Sequence, residues 1–218
     1  MIRSRVVVSL TAVACLAAQS LACSSNGPGE SASGPASPTP SGTGTSTTTS
    51  SVSIRLTDSP FSDAKALLVT FSDVSVHTAD PGDWKTIPFA SGASRTCDLK
   101  RLNGASDVLG VGALPAGKYT QIRLNVTSAA LYFDNPSATG PCASQIAAPA
   151  GTSAAVDIPS GEVKLNNEFT LAATATTITL DFDGDQSVRQ TGSGNGSGNG
   201  KSNTKYMMVP VVRVVSVQ

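Results

Sequence analysis

Residues 114–126 read LPAGKYTQIRLNV, and this stretch indicates how most of the chain is built. Its apolar residues Ile122, Leu124 and Val126 alternate with polar ones. Alternation with a period of two is typical of a β-strand with one buried face and one solvent-facing face. The proline and glycine that precede it favour a turn. The stretch therefore predicts a turn followed by a half-buried strand.

The same alternation appears on both sides of this stretch. Val52, Ile54 and Leu56 predict a first strand, and a second is predicted over 67–77, where the apolar face switches near Ser72 and indicates a β-bulge. Further strands are predicted to begin at Trp84 and to cover 129–133, 155–158, 169–171, 177–182 and 206–217, with one helical turn at 98–102. Many short strands and no helical period predict an all-β sandwich or barrel.

Tyr119 adds a more specific architectural prediction. In immunoglobulin-like sandwiches, a tyrosine near the start of a strand donates a hydrogen bond back to upstream backbone. The segment from Leu114 to Tyr119 resembles that corner. We therefore expect an immunoglobulin-like or transthyretin-like antiparallel β-sandwich. Pro210 interrupts the last predicted strand, and because proline lacks a ladder N–H, this strand is expected at a sheet edge or bulge.

The first 22 residues have the composition of an export signal. Arg3 and Arg5 precede an uncharged apolar stretch that ends in small residues. The sequence SLA before Cys23 fits an ordinary signal peptidase, and together with Cys23 it also resembles the lipobox of bacterial lipoproteins. We expect lipidation of Cys23. The alternative is release of a secreted or periplasmic protein without lipid.

Residues 24–50 contain one charge, Glu30, and no Val, Ile, Leu or aromatic residue. Such a segment cannot bury enough apolar surface to offset the entropy cost of ordering it. The predicted organisation is a signal peptide over 1–22, a disordered tether over 23–50 and a β-sandwich domain over 51–218. Loss of 1–22 leaves 13 basic and 15 acidic residues, so no nucleic-acid-binding surface is indicated.

The residue after Cys23 bears on localisation. In Gram-negative bacteria, an aspartate there retains a lipoprotein in the inner membrane by the usual sorting rule. Ser24 therefore favours the outer membrane of the cell envelope. The expected partners are the membrane, through the lipid, and an envelope protein or glycan.

Cys97 and Cys142 are the two cysteines that follow Cys23. Disulfides form and persist outside the cytoplasm. A Cys97–Cys142 disulfide is therefore predicted, with two free buried thiols as the alternative. In the chain-entropy model it would stabilise the fold by roughly 4 kcal/mol.

The sequence contains no motif that indicates catalysis. One histidine, His77, cannot supply a multi-histidine zinc site, and the two cysteines cannot supply a cysteine-rich one. The nucleophile elbow, the P-loop and the dinucleotide fingerprint do not occur. We expect a non-enzymatic domain without a cofactor.

Asp181, Asp183 and Asp185 form the most interesting acidic cluster. On a strand, Asp181 and Asp183 share one face, while Phe182 points the other way into the core. Paired carboxylates can hold calcium, which makes a calcium-binding module one alternative function. They can also serve an envelope hydrolase. Solvated aspartates at a strand end are the simplest interpretation.

Trp84, the only tryptophan, follows a predicted turn. It can stack on a sugar, which makes a carbohydrate-binding module another alternative function. An aromatic residue in the core or at its boundary is the simpler interpretation.

Several segments in order resemble one family. They are 52–60 (VSIRLTDSP), 69–77 (VTFSDVSVH), 114–124 (LPAGKYTQIRL), 180–183 (LDFD), 187–188 (SV) and 209–214 (VPVVRV). The combination is similar to domain-of-unknown-function 4382, a family that resembles secreted or lipid-anchored β-sandwich proteins of bacteria and archaea. The similar region covers roughly residues 51–217. The resemblance implies a β-sandwich and carries over no catalytic residue.

Overall fold

The computed structural model describes residues 48–59, 63–192 and 204–218. The predicted signal peptide, Cys23 and nearly all of the predicted tether lie outside these residues. The first strand begins at Thr49, two residues before the predicted start of the domain. Within the described ranges, no helix is long and apolar enough to cross a membrane.

The described residues form thirteen strands and two short helices. The strands are β1 Thr49–Ser59, β2 Ala66–Thr78, β3 Trp84–Thr86, β4 Arg95–Asp98, β5 Asp107–Pro115, β6 Gly117–Tyr132, β7 Cys142–Ala143, β8 Ser153–Asp157, β9 Glu162–Leu171, β10 Thr176–Asp183, β11 Val188–Gly192, β12 Lys205–Met208 and β13 Val212–Val217. A 3₁₀ helix covers Leu99–Leu102, as predicted, and a single turn of α-helix, α1, covers Gly184–Ser187.

The strands form two sheets. The small sheet has the order β13-β10-β1-β5, and the large sheet has the order β11-β12-β8-β6-β2-β4-β7, with β3 paired to β2 and β9 to β6. Most neighbouring strands are antiparallel, whereas the β1–β10 and β12–β8 pairs are parallel. The predicted all-β fold is confirmed.

The apolar sides of both sheets bury one core. Ile122 and Leu124, from the alternating stretch in β6, are fully buried. Phe71 of the large sheet meets Phe182 of the small sheet edge to face, with ring centroids 6.5 Å apart. The period-two pattern therefore identified the strand face that packs into the core.

Two local predictions are confirmed. The β2–β6 register shifts between Phe71 and Asp73, which places a bulge at Ser72. Tyr119 is buried, and its hydroxyl donates a hydrogen bond to the Pro115 carbonyl oxygen at 2.7 Å. The tyrosine thus ties the start of β6 to the end of β5.

The single strand predicted over 206–217 is wrong. It is two strands, because β12 belongs to the large sheet and β13 to the small one. Pro210 lies in the crossing between them, not at an edge position or bulge of one strand. Its missing N–H costs no ladder hydrogen bond there.

Strand β5 was not predicted as a strand, because Gly110 and Gly112 interrupt the apolar alternation of its sequence. Glycine is needed at Gly110 because a Cβ atom there would lie 2.9 Å from the Pro88 carbonyl oxygen. The segment around Pro88 therefore passes directly over β5.

Candidate functional site

The three predicted calcium ligands lie around the end of β10. The Asp181 carboxylate forms an ion pair with the Arg213 guanidinium at 2.5 Å. The Asp183 carboxylate caps α1 by accepting a hydrogen bond from the Gln186 backbone N–H at 3.0 Å. Asp185 lies in α1 and is exposed. Asp181 and Asp183 thus already serve the fold.

Asp181 and Asp183 are only 5% and 8% exposed, so the interpretation of solvated aspartates does not hold for these two. Phe182 is buried in the core, as the strand pattern predicted. In the part of the chain that the structure describes, no group of three or more His, Cys, Asp or Glu side chains is arranged to hold a metal ion. Calcium binding by these aspartates stays a prediction.

A fourth acid, Asp58, lies on the neighbouring strand β1 and was not predicted from the sequence. It is 4% exposed, and its Oδ1 accepts a hydrogen bond from the Gly184 backbone N–H at 3.0 Å, whereas its Oδ2 has no hydrogen-bond partner. Burial, reinforced by the charges of Asp181 and Asp183, raises the pKa of Asp58 to about 8. The carboxyl is therefore protonated at neutral pH. The alternation that buries Ile54 and Leu56 also places position 58 on the buried face.

The solvent-facing side of the large sheet carries two rows of paired residues across β3, β2, β6 and β9. Directly paired residues point to the same side of a sheet. The first row is Trp84, His77, Gln121 and Asn166, and the second is Thr86, Ser75, Arg123 and Lys164. We call these eight residues the polar face.

Trp84 lies at the centre of an aromatic and charged cluster on the polar face. The Arg123 guanidinium lies 3.7 Å from the centre of the indole ring, and the His77 ring is tilted against it with centroids 5.0 Å apart. Arg123 also forms an ion pair with Glu162 at 2.5 Å. Because Arg123 covers one side of the indole, that side is closed to a sugar. Carbohydrate binding by Trp84 stays a prediction.

Arg123 could have been identified from the sequence only by its outward position in the alternating stretch. Its contact with Trp84 depends on the pairing of β3, β2 and β6, which no local pattern specifies. A cation–π contact of this kind contributes roughly 0.5–2 kcal/mol, depending on its exposure. The contact therefore holds both side chains in place on the polar face.

Cys97 and Cys142 form the predicted disulfide, with Cα atoms 4.1 Å apart. The two residues are paired in β4 and β7, so the bond joins β7 to the body of the large sheet. Cys23, the predicted lipidation site, lies outside the described residues.

The sequence matches the family described as a domain of unknown function (DUF4382) over residues 49–208, which is most of the chain. The resemblance drawn from the sequence segments is thereby confirmed. The chain matches no curated protein and no solved structure.

Proposed function

Because the chain belongs to the DUF4382 family, whose description assigns no function, we propose a role from its own surface. The protein is a non-enzymatic binding module of the cell envelope. A lipid on Cys23 holds it to the membrane, and the outer side of the large sheet receives a ligand.

The polar face is the observation that carries this proposal. Tryptophan and arginine are the residue types that most often dominate binding energy at interfaces. Here Trp84 and Arg123 are held against each other by a 3.7 Å contact across strand β2, which pairs with both β3 and β6. These two side chains therefore lose little conformational entropy on binding, and this favours affinity.

A non-enzymatic role agrees with the use of the acidic residues. A glycosidase-type hydrolase needs two carboxyl groups that flank the bond to be cleaved. Asp181 is paired with Arg213, and Asp183 caps a helix. Asp58, on β1, is buried and accepts a hydrogen bond from the Gly184 N–H of α1. Each of the three carboxyl groups therefore has an ion-pair or hydrogen-bond partner within the domain.

Binding to isolated cell envelopes tests the role of the polar face. The mature protein, beginning at residue 23, is sedimented with envelope fragments at increasing concentration, and the Kd of the wild type is compared with that of Arg123→Gln. The matched control is Arg55→Gln, on β1 of the other sheet, where the guanidinium donates hydrogen bonds to Ser106. We expect Arg123→Gln to weaken binding at least about tenfold, as loss of about 1.4 kcal/mol would. Equal effects of both substitutions would refute the role of the polar face.

The lipid anchor is tested separately by intact mass on protein extracted from its native membrane. We expect a mature chain that begins at Cys23 and carries acyl chains, and a Cys23→Ala variant without them. A wild-type mass that begins at Cys23 without lipid would make the protein a secreted one and overturn the anchor.

A further inference from the structure

A cleft of about 430 Å³ opens on the outer side of the large sheet, beyond the polar face, where β4, β2 and β6 lie side by side. Two rows of paired residues form its floor. One row is Thr96, Thr70 and Ser128, and the other contains Leu68 and Ala130. Most of these side chains are short, so the strands leave a depression instead of a filled surface. Its volume is typical of small-molecule sites.

The wall of the cleft is the segment that follows β7, with Ser144, Gln145 and Ile146. The Cys97–Cys142 disulfide ties β7 to floor strand β4 immediately before this segment. Ile146 is 6% exposed, so its side chain is packed against the domain and does not swing freely. The wall is therefore held in place before any ligand arrives, which reduces the entropy cost of binding.

The lining is polar and contains no ionisable acid or basic residue. It contains five serine and threonine hydroxyls, the Tyr132 phenol and the Gln145 amide, beside the apolar Leu68, Ala130 and Ile146. A charged ligand would lose hydration without gaining a counter-charge. A purely apolar ligand would leave the hydroxyls without partners. The chemistry thus selects a neutral ligand with both polar groups and apolar C–H surface.

The hydroxyls further narrow the class of ligand. Each hydroxyl can donate one hydrogen bond and accept others, and the Thr70 and Thr96 hydroxyls already share one at 3.0 Å. The remaining capacity suits a ligand whose own groups also donate and accept. An extended peptide fits less well, because peptides bind sheets at a free strand edge, and the floor strands here are paired with one another.

We propose that this cleft binds a neutral sugar, with its hydroxyls on the Thr96, Thr70 and Ser128 row and its C–H surface against Leu68 and Tyr132. The inference rests on the proposed function, since it assigns a ligand class and a location to the same outer side of the large sheet.

The experiment is calorimetric titration of the mature protein with glucose, galactose, mannose and N-acetylglucosamine and with their β-linked disaccharides. Glucuronate and glucosamine serve as charged comparators. We expect at least one neutral sugar to bind with a Kd of about 1 mM or tighter, which corresponds to about −4.1 kcal/mol. The charged sugars should bind at least about tenfold more weakly, because the cleft lining offers them no counter-charge.

Two variants locate the site. Ser128→Leu fills the cleft and should abolish binding, while Ser160→Leu, at an exposed turn before β9, is the matched control that should not. Thr70→Val keeps the side-chain shape and removes one hydroxyl, so it should weaken binding roughly tenfold even if Ser128→Leu folds poorly. Sugar binding that survives both cleft substitutions would overturn the location.

The outcomes separate the two proposals. If no neutral sugar binds but envelope binding still depends on Arg123, the polar face stands and the sugar assignment falls. Sugar binding that is abolished by Ser128→Leu supports the cleft. If Arg123→Gln at the same time leaves binding to envelopes unchanged, the cleft stands and the role of the polar face falls. If both assays are negative, both proposals fall.

Discussion

Asp58→Asn should remove a pH-dependent weakness from the fold. Asparagine keeps the size of the side chain and an oxygen that can accept the hydrogen bond from the Gly184 N–H. It cannot ionise. The substitution therefore replaces a carboxyl group that must remain protonated with one that is neutral at every pH.

The sign and size follow from the pKa of Asp58, which is raised from 3.8 to about 8. Between these values the unfolded chain has released the proton and the folded chain still holds it. The unfolded state binds fewer protons, so the free energy of unfolding falls as pH rises through this window. At about 1.36 kcal/mol per pH unit, the wild type should lose roughly 3 kcal/mol between pH 5 and pH 7 from this group alone.

Urea unfolding at pH 5, 6, 7 and 8, followed by the fluorescence of Trp84, measures this effect. The difference in unfolding free energy between Asp58→Asn and wild type should increase in favour of the variant by about 1.4 kcal/mol per pH unit up to about pH 8. Asp157→Asn, at an exposed aspartate of β8, is the matched control and should stay parallel to wild type. Parallel curves for Asp58→Asn and wild type would refute the reasoning.

Three further predictions concern the stability of the domain. Tyr119→Phe removes the hydrogen bond to the Pro115 carbonyl and should lower the free energy of unfolding by about 1 kcal/mol; chemical denaturation measures it, and an unchanged midpoint would contradict it. Replacing Cys97 and Cys142 together by serine should lower the free energy of unfolding by about 4 kcal/mol, because the disulfide links positions 45 apart in sequence. Thermal melts of the variant and of the reduced wild type should then agree. Gly110→Ala places a Cβ atom 2.9 Å from a carbonyl oxygen and should destabilise by about 1–3 kcal/mol in calorimetry, whereas Gly140→Ala, where the added atom meets nothing within 4 Å, tests how much of that loss is contact.

The sequence was informative where structure is set by neighbours along the chain. The alternation in β6, the bulge at Ser72 and the corner at Tyr119 each depend on a few consecutive residues, and each is confirmed. Asp58 was within reach of the same reasoning, since it continues the buried alternation of β1. The first strand was predicted from Val52, Ile54 and Leu56 alone, because an aspartate followed by Ser59 and Pro60 favours a turn.

The remaining features depend on which strands become neighbours. Thr70, Thr96 and Ser128 form one row only because β4 and β6 both pair with β2. Arg123 reaches Trp84 only across an intervening strand. Register of this kind is set by packing of the whole sandwich, and no segment of the sequence records it.

The crossing at residues 209–211 has a consequence for how the molecule reaches its native state. The small sheet joins β1, from the start of the domain, to β10 and β13, so its strands cannot assemble until residues distant in the chain are all present. Contacts of such high sequence separation make folding slow, typically on the scale of milliseconds to seconds. A polypeptide with this connectivity cannot complete its small sheet until β13, the last of the thirteen strands, has been synthesised.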